Sequence, residues 1–198
     1  MEKFQIKGAA TCRIVYPQGI FEKKQVKGTE GEPKYSAIVL VPKEDPVKMS
    51  QLDEMYAAAF SDLQSKGFKG RRPATINPKN NCYIDGDTYA DEADGREAFR
   101  GYMMLKVASK WVRPIVTDLQ KRIILNGVPL PGVAVENISD EELGDGDYIF
   151  CNVSFWTYFT TAAQGIGCNL NAVVRAGAGE RIGGVSRDVT DYIDVDYE

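Results

Sequence analysis

Histidine is absent from the 198 residues. With it go the commonest general base, the commonest transition-metal ligand and every Ser-His or Cys-His nucleophile pair. What the chain offers instead is cations set beside aromatic rings. Lys34 precedes Tyr35, Arg100 and Tyr102 lie just ahead of Lys106, Lys110 and Trp111 precede Arg113, and Trp156 alternates with Tyr158. Lys69, Arg71 and Arg72 next to Phe68 repeat the theme. Ammonium and guanidinium groups attract phosphates, and ring faces accept unstacked bases. The combination tolerates any sequence because every base has a π-face. Lys34, Tyr35, Arg100, Tyr102, Lys106, Trp111, Arg113, Trp156 and Tyr158 are therefore the candidate contacts for a single strand of DNA. Any one of these pairings is better read as a solvated charged surface, so the argument rests on their joint pattern.

Other chemistries fit less well. Asp85, Asp87, Asp91, Glu92 and Asp94 could gather Mg²⁺ for phosphoryl chemistry, but D-G-D-T-Y-A-D-E-A-D-G lacks the Gly and Glu positions of a calcium loop. The letters DEAD at 91–94 imply no helicase, because no G-x-x-x-x-G-K-[ST] phosphate loop exists in the chain. GIG at 165–167 and RAGAGERIGG at 175–184 lack the strand-turn-helix context of a dinucleotide cradle and read as turns or as a flexible approach to backbone. Cys12, Cys82, Cys151 and Cys168 form no C-x-x-C pair, so reduced, packed thiols are expected. No catalytic residue, metal or cofactor is expected.

A net charge of −4 argues at first sight against a polyanionic partner. The distribution reverses that. Asp188, Asp191, Asp194, Asp196 and Glu198 close the chain with no base among them, and residues 1–187 hold 23 acids against 24 bases. Two further clusters, 85–97 and 140–147, are glycine-punctuated and read as solvated acidic loops. Outside them the body is strongly basic. The domain expected is 1–187, followed by a flexible acidic tail, 188–198, able to occupy a cationic groove when DNA is absent.

The elements that must position these residues are mostly strands. Strand signals occur at Thr11 to Tyr16, Tyr35 to Val41, Phe99 to Trp111, Val112 to Thr117, Val133 to Ile138 and Tyr148 to Thr160. Tyr35 to Val41 is apolar on both faces, as a central strand is. In the last run Ile149, Cys151, Val153 and Phe155 share one face, and Tyr148, Phe150, Asn152, Ser154, Trp156 and Tyr158 the other. That second face suits a stacking platform or a second buried surface. One helix is written clearly: Asp45 as cap, Pro46 at the first position, and Met49, Leu52, Met55, Tyr56, Ala59, Phe60 and Leu63 at helical spacing up to Gly67. Residues 67–98 show almost no periodicity and read as a long loop. The fold expected is mainly β, an antiparallel closed or partly open barrel with one packed amphipathic helix. No run approaches a membrane span, and the N-terminus has no apolar signal core, so an intracellular protein without membrane contact is expected.

The order KYSAIVLVPKED, amphipathic helix, DGD loop, FRGYMMLKVASKWVRPIV, GDGDYIFCNVSFWTYF, GIGCNLNAVV and GERIGG resembles a family of phage single-stranded-DNA-binding proteins. The resemblance runs over about residues 8–187. It is carried by K-Y before an apolar strand and P-K, R-P after a basic strand, and G-I-x-x-x-L-x-x-V before G-E-x-x-G-G. The family implies an OB-fold barrel, similar in plan to the replication single-strand binders of podophages, whose acidic tails contact replication proteins. It further implies a role in phage DNA replication or recombination in the cytoplasm of the infected bacterial host, with phage or host replication proteins as partners and homo-oligomerisation left open. A virion structural or adaptor protein without nucleic-acid binding is the alternative of another class, and a metal nuclease the third.

Overall fold

The apolar run that opens on Tyr35 becomes β3 (Tyr35–Pro42), with β2 (Cys12–Val15) on one side and β5 (Tyr102–Ser109) on the other. Its Val39, Leu40 and Val41 are fully buried, as a strand apolar on both faces requires. The structure, a computed structural model, describes residues 4–5, 11–25, 32–92, 94–110, 113–118, 124–125, 128–129 and 139–182. The Val133 to Ile138 strand signal and the acidic tail lie outside these residues.

Two long strands complete the barrel. β9 (Tyr148–Phe159) and β10 (Gln164–Gly177) form an antiparallel hairpin; β2 pairs with β9 and β5 with β10, closing the circuit β2-β3-β5-β10-β9. The β5–β10 contact is parallel and brief, at Cys168 opposite Val107. Below it β4 (Tyr83–Asp85) takes up the edge of β5, and above it β6 (Ile115–Asp118) takes up the edge of β10 from Ala172 to Arg175. Short pieces β1 (Phe4–Gln5), on β9, and the pair β7 (Ile124–Leu125) and β8 (Val128–Pro129) complete the described strands. A closed five-stranded barrel of this kind is the OB-fold plan, with the helix placed between β3 and β5.

That helix, α1 (Pro46–Ser65), starts where the Asp45 carboxylate accepts from the Lys48 amide at 3.1 Å. It stops at Gly67, whose φ of 109° a side chain would resist. Leu52, Tyr56, Ala59, Phe60 and Leu63 enter the main core with Ile14, Val39, Leu105, Ile149, Val153, Phe155, Ile166 and Leu170. Truncating a fully buried leucine such as Leu63 costs about 2–5 kcal/mol by lost transfer energy and cavity formation. The four cysteines are buried and free, and burial helps push the Cys151 and Cys168 thiols up.

Three local expectations differ from the structure. Residues 67–98 hold β4, a short helix α2 (Gly86–Asp91) and three 3-10 turns, because Asp85 caps α2 by accepting from the Asp87 amide at 2.8 Å. The glycine-rich GIG lies inside β10 and not in a turn. Asp147 in the 140–147 cluster is buried, held by Arg175 Nε at 2.6 Å and the Gly144 amide at 2.9 Å, so this cluster is partly a structural lock. Among the described residues no helix is long and apolar enough to cross a membrane.

Candidate nucleic-acid interface

Past Cys168 and Val107 the parallel seam opens, because β10 exchanges β5 for β6 as its neighbour. The diverging chains leave a groove of about 720 Å³. Ala108, Ser109 and Lys110 line it from β5 and its end, Ile115 from β6, Asn169 to Asn171 from β10, and Trp156 from β9. Lys34 and Arg113 stand at its margin. Ile115 and Trp156 are among the few large apolar side chains left exposed, at 59% and 36%. An exposed ring and an exposed aliphatic side chain within one cationic groove suit flat ligands.

The aromatic floor depends on the hairpin register. Trp156 sits opposite Gly167, and Tyr158 opposite Gly165. A Cβ on Gly167 would lie 2.4 Å from the indole Cε2, so that glycine clears room for the ring, whereas one on Gly165 would meet the Asn80 carbonyl oxygen at 2.1 Å and the Tyr158 hydroxyl at 2.6 Å. The rings are 5.2 Å apart at 41°, and Tyr158 donates to the Asn80 carbonyl at 3.3 Å. Burial raises the Tyr158 pKa, which keeps the phenol neutral. Next along the floor, Asn171 donates to Asn152 Oδ1 at 2.8 Å, setting amides beside the rings.

Cations gather at the mouth. The Lys23 ammonium lies 5.4 Å from the Tyr35 ring centre and the Arg113 guanidinium 5.3 Å from that of Phe21. Lys24 and Lys34 exchange backbone hydrogen bonds at 3.0 and 3.1 Å, which ties the β2–β3 connection to the groove. Glu32 lies among them. Its ion pair with Lys110, helped by the charges of Lys23 and Lys34, holds its pKa below the usual carboxylate value.

The nine sequence candidates separate along β5. Lys34, Arg113 and Trp156 line the groove, Tyr158 extends its floor, and Tyr35 lies half-buried at its edge beneath Lys23. Arg100 and Tyr102 stand at the opposite end of the strand. Arg100 pairs with Glu97 at 2.6 Å and Asp91 at 2.7 Å, which hold its pKa up. Tyr102 packs against a second small core of Val15, Leu40, Phe99, Met104 and Ile182 on the outer face of β2, β3 and β5. Lys106 is exposed midway, and Trp111 lies outside the described residues. Gly165, Gly167, Ile115, Asn169 and Asn171 escaped the sequence reading. The signal that could have found the glycines is G-x-G spaced to face W-x-Y across a hairpin.

A closed Greek-key barrel with a cationic, ring-floored groove defines an oligonucleotide-binding domain of the OB class. A family profile described as Enterobacter phage Enc34, ssDNA-binding protein, matches residues 6–198, and the chain belongs to that family. Its fold is shared with solved structures. The C-terminally truncated single-stranded DNA-binding protein from bacteriophage Enc34 superposes with a TM-score of 0.64 at 17% identity, covering 91% of this chain and 98% of that one. The Enc34 protein in complex with ssDNA gives 0.61 at 19% identity over 87% and 86%. The single-stranded DNA binding protein gp2.5 encoded by bacteriophage T7 gives 0.51 at 13% identity over 100% and 97%. No curated protein sequence matches the chain at a significant level.

Proposed function

We propose that this chain coats single-stranded DNA with little regard to sequence, without catalysis, during phage DNA replication or recombination in the cytoplasm of the infected host. Family membership supports the ligand. The observation that carries the mode of binding is the exposed Trp156 ring seated over Gly167 in a groove bordered by Lys34, Lys110 and Arg113. Bases stack on Trp156 and Tyr158, and phosphates follow the cations. Arg100 and Tyr102 are left out of this groove by their position, and Tyr35 acts from its edge. Duplex DNA presents no free base faces to such a floor, so the test is a salt series with oligo-dT against duplex DNA. Single strands are expected to bind tighter, with log K falling linearly in log salt at about 0.7 per phosphate contacted. Equal affinity for both forms refutes the proposal.

The acidic segment 188–198 is proposed to compete for the same cations and, once displaced, to engage phage or host replication proteins. Ending the chain at Arg187 is then expected to tighten DNA binding at low salt and to change little at high salt. Unchanged low-salt affinity would remove the competition.

A further inference from the structure

The groove ends, on its Tyr158 side, against a loop that the site described above does not use. Residues 67–80 leave the C-terminus of α1 and return to the same hairpin. At the departing end the Lys66 ammonium bonds Thr157 Oγ1, and a Cβ added at Gly67 would lie 3.3 Å from the Phe159 ring. At the returning end the Asn80 carbonyl accepts from Tyr158, Asn81 bridges Ile166, and the Cys82 amide donates to the Ile166 carbonyl at 3.1 Å. Both ends therefore flank the outer end of the β9–β10 hairpin, where Tyr158 and Gly165 lie.

Its composition is one-sided. The stretch GFKGRRPATINPKN contains Lys69, Arg71, Arg72 and Lys79 and no acid. All four are exposed, and none is within ion-pair distance of a carboxylate among the described residues. The cations at the far end of β5 behave differently, since Lys43, Arg96 and Arg100 all hold acids.

The loop is also held in shape before any ligand arrives. Ile76 is buried in the main core, Phe68 packs edge-on to Phe60 at 6.1 Å, and Gln64 donates to the Gly70 carbonyl at 2.9 Å. Thr75 donates to the Arg72 carbonyl at 2.6 Å and Asn77 accepts from the Lys79 amide at 3.0 Å, within turns opened by Pro73 and Pro78. A braced loop loses little backbone entropy when its side chains meet a ligand.

We propose that residues 67–80 form a second phosphate-binding segment that carries single-stranded DNA beyond Tyr158, with Arg71, Arg72 and Lys79 contacting backbone phosphates. Bases stacked on Trp156 and Tyr158 deliver the strand to this loop, so the groove and the loop form one continuous track. The inference rests on the single-strand reading and lengthens the site it describes.

The test uses the full chain carrying Arg71→Ala, Arg72→Ala and Lys79→Ala together, with dT oligomers of about 4 and about 16 nucleotides, the span of known OB-fold sites. Thermal unfolding checks that these exposed substitutions leave the fold intact. On the long oligomer the salt slope is expected to fall by about 2, from three lost phosphate contacts at about 0.7 each, while the short oligomer binds as before. The gap between variant and parent then narrows roughly 20-fold between 50 and 200 mM salt. Unchanged slope and affinity on the long oligomer overturn the proposal, as does equal weakening on both lengths. Failure of the parent chain to prefer single strands would instead overturn the underlying reading.

Discussion

Gly167→Ala tests how the aromatic floor is built without touching an aromatic residue. The added Cβ would lie 2.4 Å from Cε2, 2.6 Å from Cζ2 and 2.7 Å from Nε1 of Trp156. These separations are far inside contact distance, so the indole must swing away. Trp156 is 36% exposed and its ring is the end of a side chain, so it can move at a cost near an off-rotamer penalty of about 0.5–1.5 kcal/mol. Replacing a strand glycine returns roughly 0.5–1 kcal/mol, and net stability should stay within about 1 kcal/mol of the parent. Binding should not. A stacked base is worth about 1–3 kcal/mol, so the dissociation constant for oligo-dT is expected to rise about 5- to 160-fold, read by anisotropy of a labelled strand. In a Trp156→Ala background the same glycine change should do almost nothing, because the ring it displaces is gone. A folded Gly167→Ala protein with less than about a twofold change in affinity, against that stacking value, would refute the account of the floor.

Three other expectations follow from charge and burial. Glu32→Gln removes the carboxylate set among Lys23, Lys34 and Lys110, and should tighten single-strand binding at low salt with the gain gone by about 1 M, where screening reaches about 3 Å; equal affinities at low salt would count against Glu32 as a competitor of phosphate. Asp147→Asn leaves Arg175 without its buried partner, and should cost about 3 kcal/mol, or about 6–12 °C in melting temperature, with the DNA salt slope unchanged; a shift under about 2 °C would show that the lock is unimportant. Burial pushes the Tyr56 phenol up to about 12, and burial with the Asp53 carboxylate pushes Tyr83 up as well. Raised folded values mean that this stabilisation is complete below about pH 10 and is lost as pH climbs through the folded pKa, so denaturant midpoints should fall from pH 10 upward. Tyr56→Phe should make that fall shallower, and parallel curves for parent and variant would remove Tyr56 as a contributor.

The elements legible in the sequence were those whose apolar period is unbroken. β3, α1 and β9 match their signals nearly residue for residue. β10 was missed although Ile166, Cys168 and Leu170 alternate, because glycines and asparagines fill the other face and a bulge at Asn171 breaks the period before Val173. α2 was hidden in an acidic stretch whose carboxylates are largely exposed, as their composition suggests, and whose helix cap is not revealed by composition. Lys43 binds Asp85 and Asp87 at 2.6 Å, and its hydrogen bonds hold both below the usual carboxylate value against the upward pull of burial. For the site, alternation told which face Trp156 and Tyr158 share. It could not tell which end of β5 a cation stands at, and Arg100 was therefore named among the contacts while Lys110, which lines the groove, was not.

That difference in position gives the molecule its electrostatic polarity. From Tyr102 to Ser109, β5 runs seven steps, about 24 Å at 3.4 Å per residue. At its first end Lys43, Arg96 and Arg100 are matched by Asp85, Asp87, Asp91, Glu92 and Glu97, leaving that surface acidic on balance. At its other end Lys23, Lys34 and Lys110 surround Glu32 and Arg113 lines the groove, with the acid-free loop 67–80 beyond Tyr158. The two ends lie farther apart than the ~8 Å screening length at physiological salt, so a polyanion approaching either end feels mainly that end. It is repelled from one and drawn to the other. A net charge of −4 is thus compatible with the proposed DNA groove, because Asp85, Asp87, Asp91, Glu92 and Glu97 lie at the end away from it, and under that proposal the opposed ends orient the strand towards the groove before any base has stacked.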